Sequence, residues 1–354
     1  MTPLEFARRV LAWFDAHGRK ALPWKENPTP YRVWVSEIML QQTQVATVMP
    51  YYRRFMARFP DIRTLADASL DEVLGLWSGL GYYARGRHLH QAARIMRDQY
   101  GGEMPSDIAQ VQALPGIGRS TAGAILALAG GQRQPVLDGN VKRVLARFAA
   151  VDGWTGQTRV AARLWELAER YTPIERVADY TQAMMDLGAL ICTARRPLCG
   201  ACPLAEGCLA HSQERETAFP NPKPRRELPV RATRMLLLRS ADRDVLLERR
   251  PPAGIWGGLW SFPECPPEVE IADWCRRRLG LQVAIGRSWT VLRHTFSHFH
   301  LDITPVPALV TDAAGAVMAG DRFVWYNSQD CERLGMAAPV KTLLAALTGD
   351  LLND

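Results

Sequence analysis

The sequence predicts a multidomain fold, an all-α domain followed by an α+β domain. Three observations carry this. Apolar residues recur at helical spacing up to about residue 210. Residues 211–230, HSQERETAFPNPKPRRELPV, are rich in proline and charge and lose that periodicity, as a linker does. Beyond them come short strand-like runs with few helices between. The boundaries fall at 1–212, 213–230 and 231–354, and 354 residues suit two domains.

The elements follow in order. MTPLEFARRVLAWFDAHGRK reads as an amphipathic helix charged throughout, unlike a signal peptide. After Pro30, the run YRVWVSEIMLQQTQVATVMPYYRRFMARF places Val33, Ile38, Leu40, Val45 and Val48 at mixed helical spacing. Asp67 and Ser69 offer caps before LDEVLGLWSGL, which Gly79 and Gly81 close. A helix spans Ala84 to Gln99, and Ser106 caps DIAQVQA. Further helices fit Val141 to Ala150, Arg159 to Arg170 and Asp179 to Ile191. Past the linker, strands fit Arg234 to Leu238, Val245 to Glu248, Val291 to Phe296 and Leu301 to Leu309. Helices fit Ile271 to Leu279 and Val340 to Leu347.

A composition of 47% hydrophobic and 22% charged residues is that of an ordinary globular protein. The net charge of +7 favours a polyanionic partner. The longest apolar runs fall far short of the ~20 residues that a membrane span needs. Seven cysteines, an odd number, do not suggest a disulfide framework. A cytoplasmic or nucleoid-associated location is the expectation.

The most informative stretch is Leu114 to Arg143. Leu114-Pro115-Gly116-Ile117-Gly118 joins two helices in a tight hairpin. Gly116 and Gly118 allow close approach of a phosphate, and the next helix, carrying Ser120, aims free N–H groups at it. An ordinary helix corner would have the same turn. Twenty residues past Gly118, after Pro135, Asp138 opens another helix as Asp-Gly-Asn. It can serve as an N-cap and also be held ionised and oriented for chemistry. Glu37 sits among apolar residues in VWVSEIML, where desolvation raises a carboxyl's pKa, although a solvent-facing Glu would fit the pattern too. Cys192, Cys199, Cys202 and Cys208 give C-x6-C-x2-C-x5-C. That uneven spacing suits an iron–sulfur cluster better than zinc, which usually takes two close pairs. Cys265, Cys275 and Cys331 show no ligand pattern.

LPGIGRSTA, followed by a Gly/Pro loop and LDGNVKR, resembles the helix-hairpin-helix, Gly/Pro-Asp superfamily of DNA glycosylases. SEIMLQQTQVATV, GLGYYAR, QAMMDLGA and FSHFHLDI extend the resemblance over nearly the whole chain, to the adenine DNA glycosylases. The resemblance implies a base-excision-repair enzyme that hydrolyses the N-glycosidic bond of adenine opposite 8-oxoguanine or guanine, leaving an abasic site. Glu37 matches the family's catalytic glutamate, the general acid, and Asp138 the residue that stabilises the oxocarbenium-like sugar or briefly bonds to it. Asn140 would orient Asp138 or bind the sugar. Gln182, Met185 and Asp186 match the adenine pocket. The flipped base needs a wedge, for which Gln41, Gln42 and Tyr82 are candidates, with Tyr83 as core. The four cysteines would hold a 4Fe–4S cluster in a structural role, and Arg195 and Arg196 in the 192–208 loop would meet phosphates.

Bifunctional relatives carry a lysine where this chain has Ser120, so the chemistry stops at the abasic site, with weak nicking through Lys142 left open. Residues 231–354 resemble a Nudix-like domain. Gly258-x5-Glu264 begins like the Nudix metal motif, but Arg276, Arg277 and Arg278 stand where its carboxylates belong, so nucleotide hydrolysis is not expected. Phe296, Ser297 and His298 match the loop that reads 8-oxoguanine. Double-stranded DNA is the expected partner, with other repair or replication proteins open and a monomer expected. Rival readings are a thymine-mismatch or oxidised-pyrimidine glycosylase, a non-catalytic damage-binding protein and a Nudix hydrolase.

Overall fold

The computed structural model describes residues 1–224, 227–313, 322–327 and 334–349. Cys331 lies outside them. The chain divides into two compact units, Met1–Asp67 with His88–Arg225, and Ala68–Arg87 with Arg226–Asp354. The second unit thus recruits a short helical segment from within the N-terminal half, which the contiguous boundaries read from sequence do not contain.

The helices are α1 (Pro3–His17), α2 (Pro30–Leu40), α3 (Val45–Arg58), α4 (Ile62–Asp67), α5 (Leu70–Trp77), α6 (Ala84–Gln99), α7 (Ile108–Ala113), α8 (Arg119–Gly130), α9 (Gly139–Phe148), α10 (Thr158–Tyr171), α11 (Val177–Leu190), α12 (Leu209–Ser212), α13 (Ile271–Leu279) and α14 (Ala338–Gly349). Caps fix several starts. Thr2, Thr29 and Ser69 accept from backbone N–H groups of α1, α2 and α5. Asp107, not Ser106, caps α7, because its carboxylate accepts from both Ala109 and Gln110 N–H at 3.0 Å.

The run after Pro30 is two helices rather than one. The chain turns at Gln41–Gln44, where Gln42 takes a left-handed φ of 57° and Thr43 N–H donates to Leu40 C=O. Gln41-Gln42-Thr43-Gln44 has no glycine or proline to mark this turn, and Val45 and Val48 resume a helical spacing beyond it. In the first unit, α1, α9, α10 and α11 enclose a core that includes Phe6, Val10, Leu145, Phe148, Leu164 and Met184. Part of the expected linker is docked on this unit. Phe219 is buried, and Asn221 Oδ1 accepts from Gly153 N–H at 2.7 Å.

The second unit is built on a mixed sheet. Its strands are β1 (Val230–Arg239), β2 (Val245–Arg249), β3 (Trp260–Ser261), β4 (Glu264–Cys265), β5 (Leu281–Ile285), β6 (Leu292–Thr295), β7 (His300–Ala313) and β8 (Phe323–Tyr326). The main path runs β3-β2-β1-β7-β5, with β1 and β7 parallel and the other pairs antiparallel. Helix α13 covers one face over a core that includes Leu236, Leu246, Cys275 and Val306. Cys265 and Cys275 are buried there as apolar packing residues. The sequence reading passes over β3 and β4, which have two residues each, and also over β5 and β8.

Candidate active site

A cleft of about 830 Å³ opens in the helical unit, and most of the expected chemistry lines it. Glu37 comes from α2, Gln41 and Gln42 from the turn after it, Ser120 from α8, Asp138 and Asn140 from the start of α9, and Gln182 and Met185 from α11. Residues far apart in sequence meet because α2, α8, α9 and α11 pack on one another.

Close backbone approach makes this possible. A Cβ on Gly123 of α8 would lie 2.7 Å from Pro135 C=O, in the loop that delivers Asp138. A Cβ on Gly188 of α11 would lie 2.6 Å from Asn140 Cβ and 2.9 Å from its C=O. Substitution Gly188→Ala should therefore push the first turn of α9 away and slow base excision about 10²-fold, the scale set by an ångström of misplacement. Single-turnover kinetics checks this, with the iron–sulfur absorbance as the control for folding.

Asp138 is the N-cap of α9, accepting from Val141 N–H at 2.7 Å, and Asn140 Nδ2 reaches its other oxygen at 3.4 Å. Burial pushes its carboxyl above the ordinary value. The Val141 and Asn140 N–H groups, the Arg143 guanidinium and the Asn140 amide pull it back. Glu37 receives no such help. Among the described residues no donor reaches its carboxylate, and burial, with the charge of Asp138 added, pushes it up to about 8. Some of its surface still opens to the cleft, so a ligand can reach it. The asymmetry gives the pair one proton, held by Glu37, and one charge, carried by Asp138.

Gln182 is fixed by Asp186. Its Nε2 donates to Asp186 Oδ1 at 2.8 Å, and Asp186 also accepts from Arg19 N–H, Nε and Nη2 at 2.7–2.9 Å. Asp186 is fully buried and does not line the cleft; it orients Gln182, whose carbonyl oxygen is left to accept. Gln41 Nε2 is tied to Thr121 Oγ1 at 3.4 Å, while Gln42 is exposed at the rim. Ser120 Oγ accepts from Leu137 N–H at 3.1 Å, so it braces the loop before Asp138. At the hairpin only Gly116 has a positive φ, of 77°. Gly118 is extended at the cap of α8 with open space around it. Lys142 on α9 does not line the cleft.

The two cationic residues that line the cleft, Arg19 and Arg143, have no role in the sequence reading. Arg143 Nη2 donates to Asn140 Oδ1 at 2.8 Å and to Gly188 C=O at 2.6 Å, and its Nε donates to Cys192 C=O at 2.7 Å. One turn on, buried Arg147 donates to Cys192 Sγ at 3.3 Å and to Thr193 and Ala194 C=O. Asn140, Arg143 and Arg147 share a helix face, a polar stripe beside the buried Val141, Val144, Leu145 and Phe148. That stripe is the signal which could have found Arg143. Arg19 follows α1 in a loop and has no such pattern.

The four cysteines Cys192, Cys199, Cys202 and Cys208 line one pocket with apolar walls that include Val144, Phe148 and Leu204. Burial pushes the Cys199 and Cys202 thiols up to about 11 and about 12, and neighbouring cysteines add to both. Four thiolates so placed require a compensating cation, and iron meets that need, so the residues fit a cluster. Bound there, its iron–thiolate bonds would cross-link the loop that Arg143 and Arg147 hold. Cys199, His211 and Glu216 also bring ligand atoms within 4.8 Å of one another beside it.

In the second unit, Tyr82 is half-exposed with a left-handed φ of 47°, while Tyr83 is buried. Phe296–Phe299 forms the tip of the β6–β7 hairpin, closed by Phe296 N–H donating to Phe299 C=O at 2.9 Å. Ser297 and His298 are exposed on it. On α13, Arg276 pairs with Asp273, and Arg278 pairs with Glu248 of β2. Glu264 pairs with Arg250.

No helix among the described residues is long and apolar enough to cross a membrane. Family models match three segments: HhH-GPD superfamily base excision DNA repair protein over residues 35–170, the iron–sulfur binding domain of endonuclease III over 192–208, and a NUDIX domain over 234–346. The cofactor is accordingly a 4Fe–4S cluster. The helical part is similar to a solved thermostable thymine-DNA glycosylase at 26% identity and a TM-score of 0.53, covering 60% of this chain and 97% of that one. A trapped endonuclease III–DNA covalent intermediate shares the fold at 21% identity, with a TM-score of 0.51, covering 60% and 99%. An adenine DNA glycosylase of Buchnera aphidicola (subsp. Acyrthosiphon pisum, strain APS) is 36% identical over 97% of this chain and 98% of its own length. The human adenine DNA glycosylase is 38% identical over 84% of this chain and 65% of its own. With a helical hairpin, a four-cysteine loop and a Nudix-type domain in one chain, and identity sustained from end to end, the protein belongs to the adenine DNA glycosylases, enzymes of base excision repair.

Proposed function

We propose that the enzyme removes adenine from duplex DNA where it faces 8-oxoguanine, and less efficiently where it faces guanine, leaving an abasic site. The observation that carries the excision step is the unequal carboxyl pair in the cleft. Glu37, protonated up to about pH 8, gives its proton to adenine N7. The glycosidic electron pair then leaves with a neutral base. Asp138 stabilises the oxocarbenium-like sugar. The Glu37 carboxylate takes a proton from the attacking water, which restores the enzyme. Asn140 holds Asp138 in place.

Gln182, its amide fixed by Asp186, offers its carbonyl to the adenine amino group, and Met185 forms an apolar wall. Gln41 and Gln42 at the cleft, and Tyr82 in the second unit, are each candidates for the wedge that fills the space the flipped base leaves. Gly116, Gly118 and the start of α8 hold a backbone phosphate. Ser120 offers no amine, so no Schiff base forms through it and hydrolysis is the outcome. Opposite the adenine, the N7–H of 8-oxoguanine is a donor where guanine has an acceptor. Ser297, exposed at the hairpin tip between Phe296 and His298, can accept it.

Single-turnover assays on duplexes with adenine opposite 8-oxoguanine, guanine, cytosine or thymine, followed by alkali to reveal abasic sites, test this. The expected order is fastest opposite 8-oxoguanine, then guanine. Thymine release from a G·T pair without adenine release would sink the reading and favour the thymine-mismatch alternative.

A further inference from the structure

We propose that Arg87 is a positioning residue for lesion recognition, joining the Tyr82 turn and the Phe296–His298 tip into one rigid piece. This rests on the reading that the tip recognises 8-oxoguanine. The second unit contains both parts, because residues 68–87 pack with the C-terminal sheet.

The link runs through named contacts. Arg87 is half-buried near the start of α6, and its Nη1 donates to Gly257 C=O at 2.6 Å. Gly257 belongs to a tight loop, where an added Cβ would lie 2.3 Å from Pro252 C=O. The preceding residue, Trp256, is buried with a left-handed φ of 52°, a conformation an aromatic residue adopts only when its surroundings enforce it. Its ring lies 5.6 Å from Phe296 and 5.5 Å from His294. Phe296 stacks in turn on buried Phe299, centroids 4.6 Å apart. Anything that fixes Gly257 therefore fixes the ring that supports the tip.

On the other side the Tyr82 turn is equally constrained. Arg85 Nη2 donates to Leu80 and Gly81 C=O at 3.2 and 3.1 Å. Ser78 Oγ and Tyr83 OH both donate to Met336 C=O at 3.0 Å, and neighbouring Gly335 C=O accepts from Trp260 N–H at 2.9 Å. A second tie thus joins the same turn to the end of the Trp256 loop. The Arg249–Asp71 ion pair ties the same segment to β2, and Arg87 supplies the charged bond nearest Trp256. With the frame intact, a wedge entering the duplex at Tyr82 and a reader at Ser297 keep a fixed spacing. Discrimination then depends on whether the opposite base fits that spacing.

The test uses the full-length enzyme with Arg87→Met, Arg87→Lys and Trp256→Leu, in single-turnover assays with adenine opposite 8-oxoguanine and opposite guanine. Arg87→Met should lower the 8-oxoguanine-to-guanine rate ratio about tenfold, the scale of one charged hydrogen bond. The adenine–guanine rate should stay unchanged. Arg87→Lys, which keeps a donor, should restore most of the ratio. Trp256→Leu should give the same selective loss, and combining it with Arg87→Met should add little, since both act through one link. An unchanged ratio in Arg87→Met, or both rates falling together, overturns the proposal while the wild-type preference stands. A wild-type enzyme without preference for 8-oxoguanine overturns the reading on which it rests.

Discussion

Glu37→Gln should lose about 10²–10⁴-fold in adenine excision, the range a general acid supplies, while binding duplex DNA as tightly as the wild type. Glutamine keeps the shape and polarity of the side chain but has no proton to give to the leaving base. The wild-type rate should fall as pH rises through about 8, where Glu37 loses its proton, and that alkaline limb should vanish in the variant. Stability supplies an independent reading of the same group. The folded carboxyl holds its proton more tightly than the unfolded chain, whose value is near 4.5. The stabilisation linked to that proton is complete below about 4.5 and is lost as pH rises through about 8. The variant carries no such ionisation, so it should melt above the wild type at about pH 9, with the difference closing towards about pH 5. A buried Glu that served only packing would leave the excision rate near wild type after this near-isosteric change.

The sequence carries much of this site because the chemistry sits on strongly patterned elements. Asp138 is legible twice over, as a cap before a helix and as the aspartate that ends a Gly/Pro loop. Glu37 is conspicuous as the one carboxylate in the apolar run Val33–Leu40. What is not legible depends on packing between distant segments. The left-handed turn at Gln42 falls in Gln41-Gln42-Thr43-Gln44, which has no glycine or proline to announce it. Arg19 meets Asp186 across more than a hundred residues, so Asp186 reads as a pocket residue when it is the anchor that aims Gln182. The helical segment 68–87 joins the C-terminal unit through contacts with Met336 and Gly257, which no linear boundary can express.

Asp138→Asn should lose about 10³-fold or more in excision, because the developing positive charge on the sugar would face a neutral amide in a largely desolvated site. Asparagine caps helices nearly as well as aspartate, so the Val141 bond survives and stability should change by less than about 1 kcal/mol. That separates charge from geometry. Were Asp138 merely the cap of α9, Asn would be a near-silent substitution; were it the electrostatic partner of the sugar, an intact fold would accompany a failed reaction. The two carboxyls are also coupled. The charge of Asp138 helps hold Glu37 up at about 8, so Asp138→Asn should lower the Glu37 value and move the residual alkaline limb to lower pH. A residual activity whose alkaline limb stays in place would show that burial alone tunes Glu37, and that the pair does not titrate as a unit.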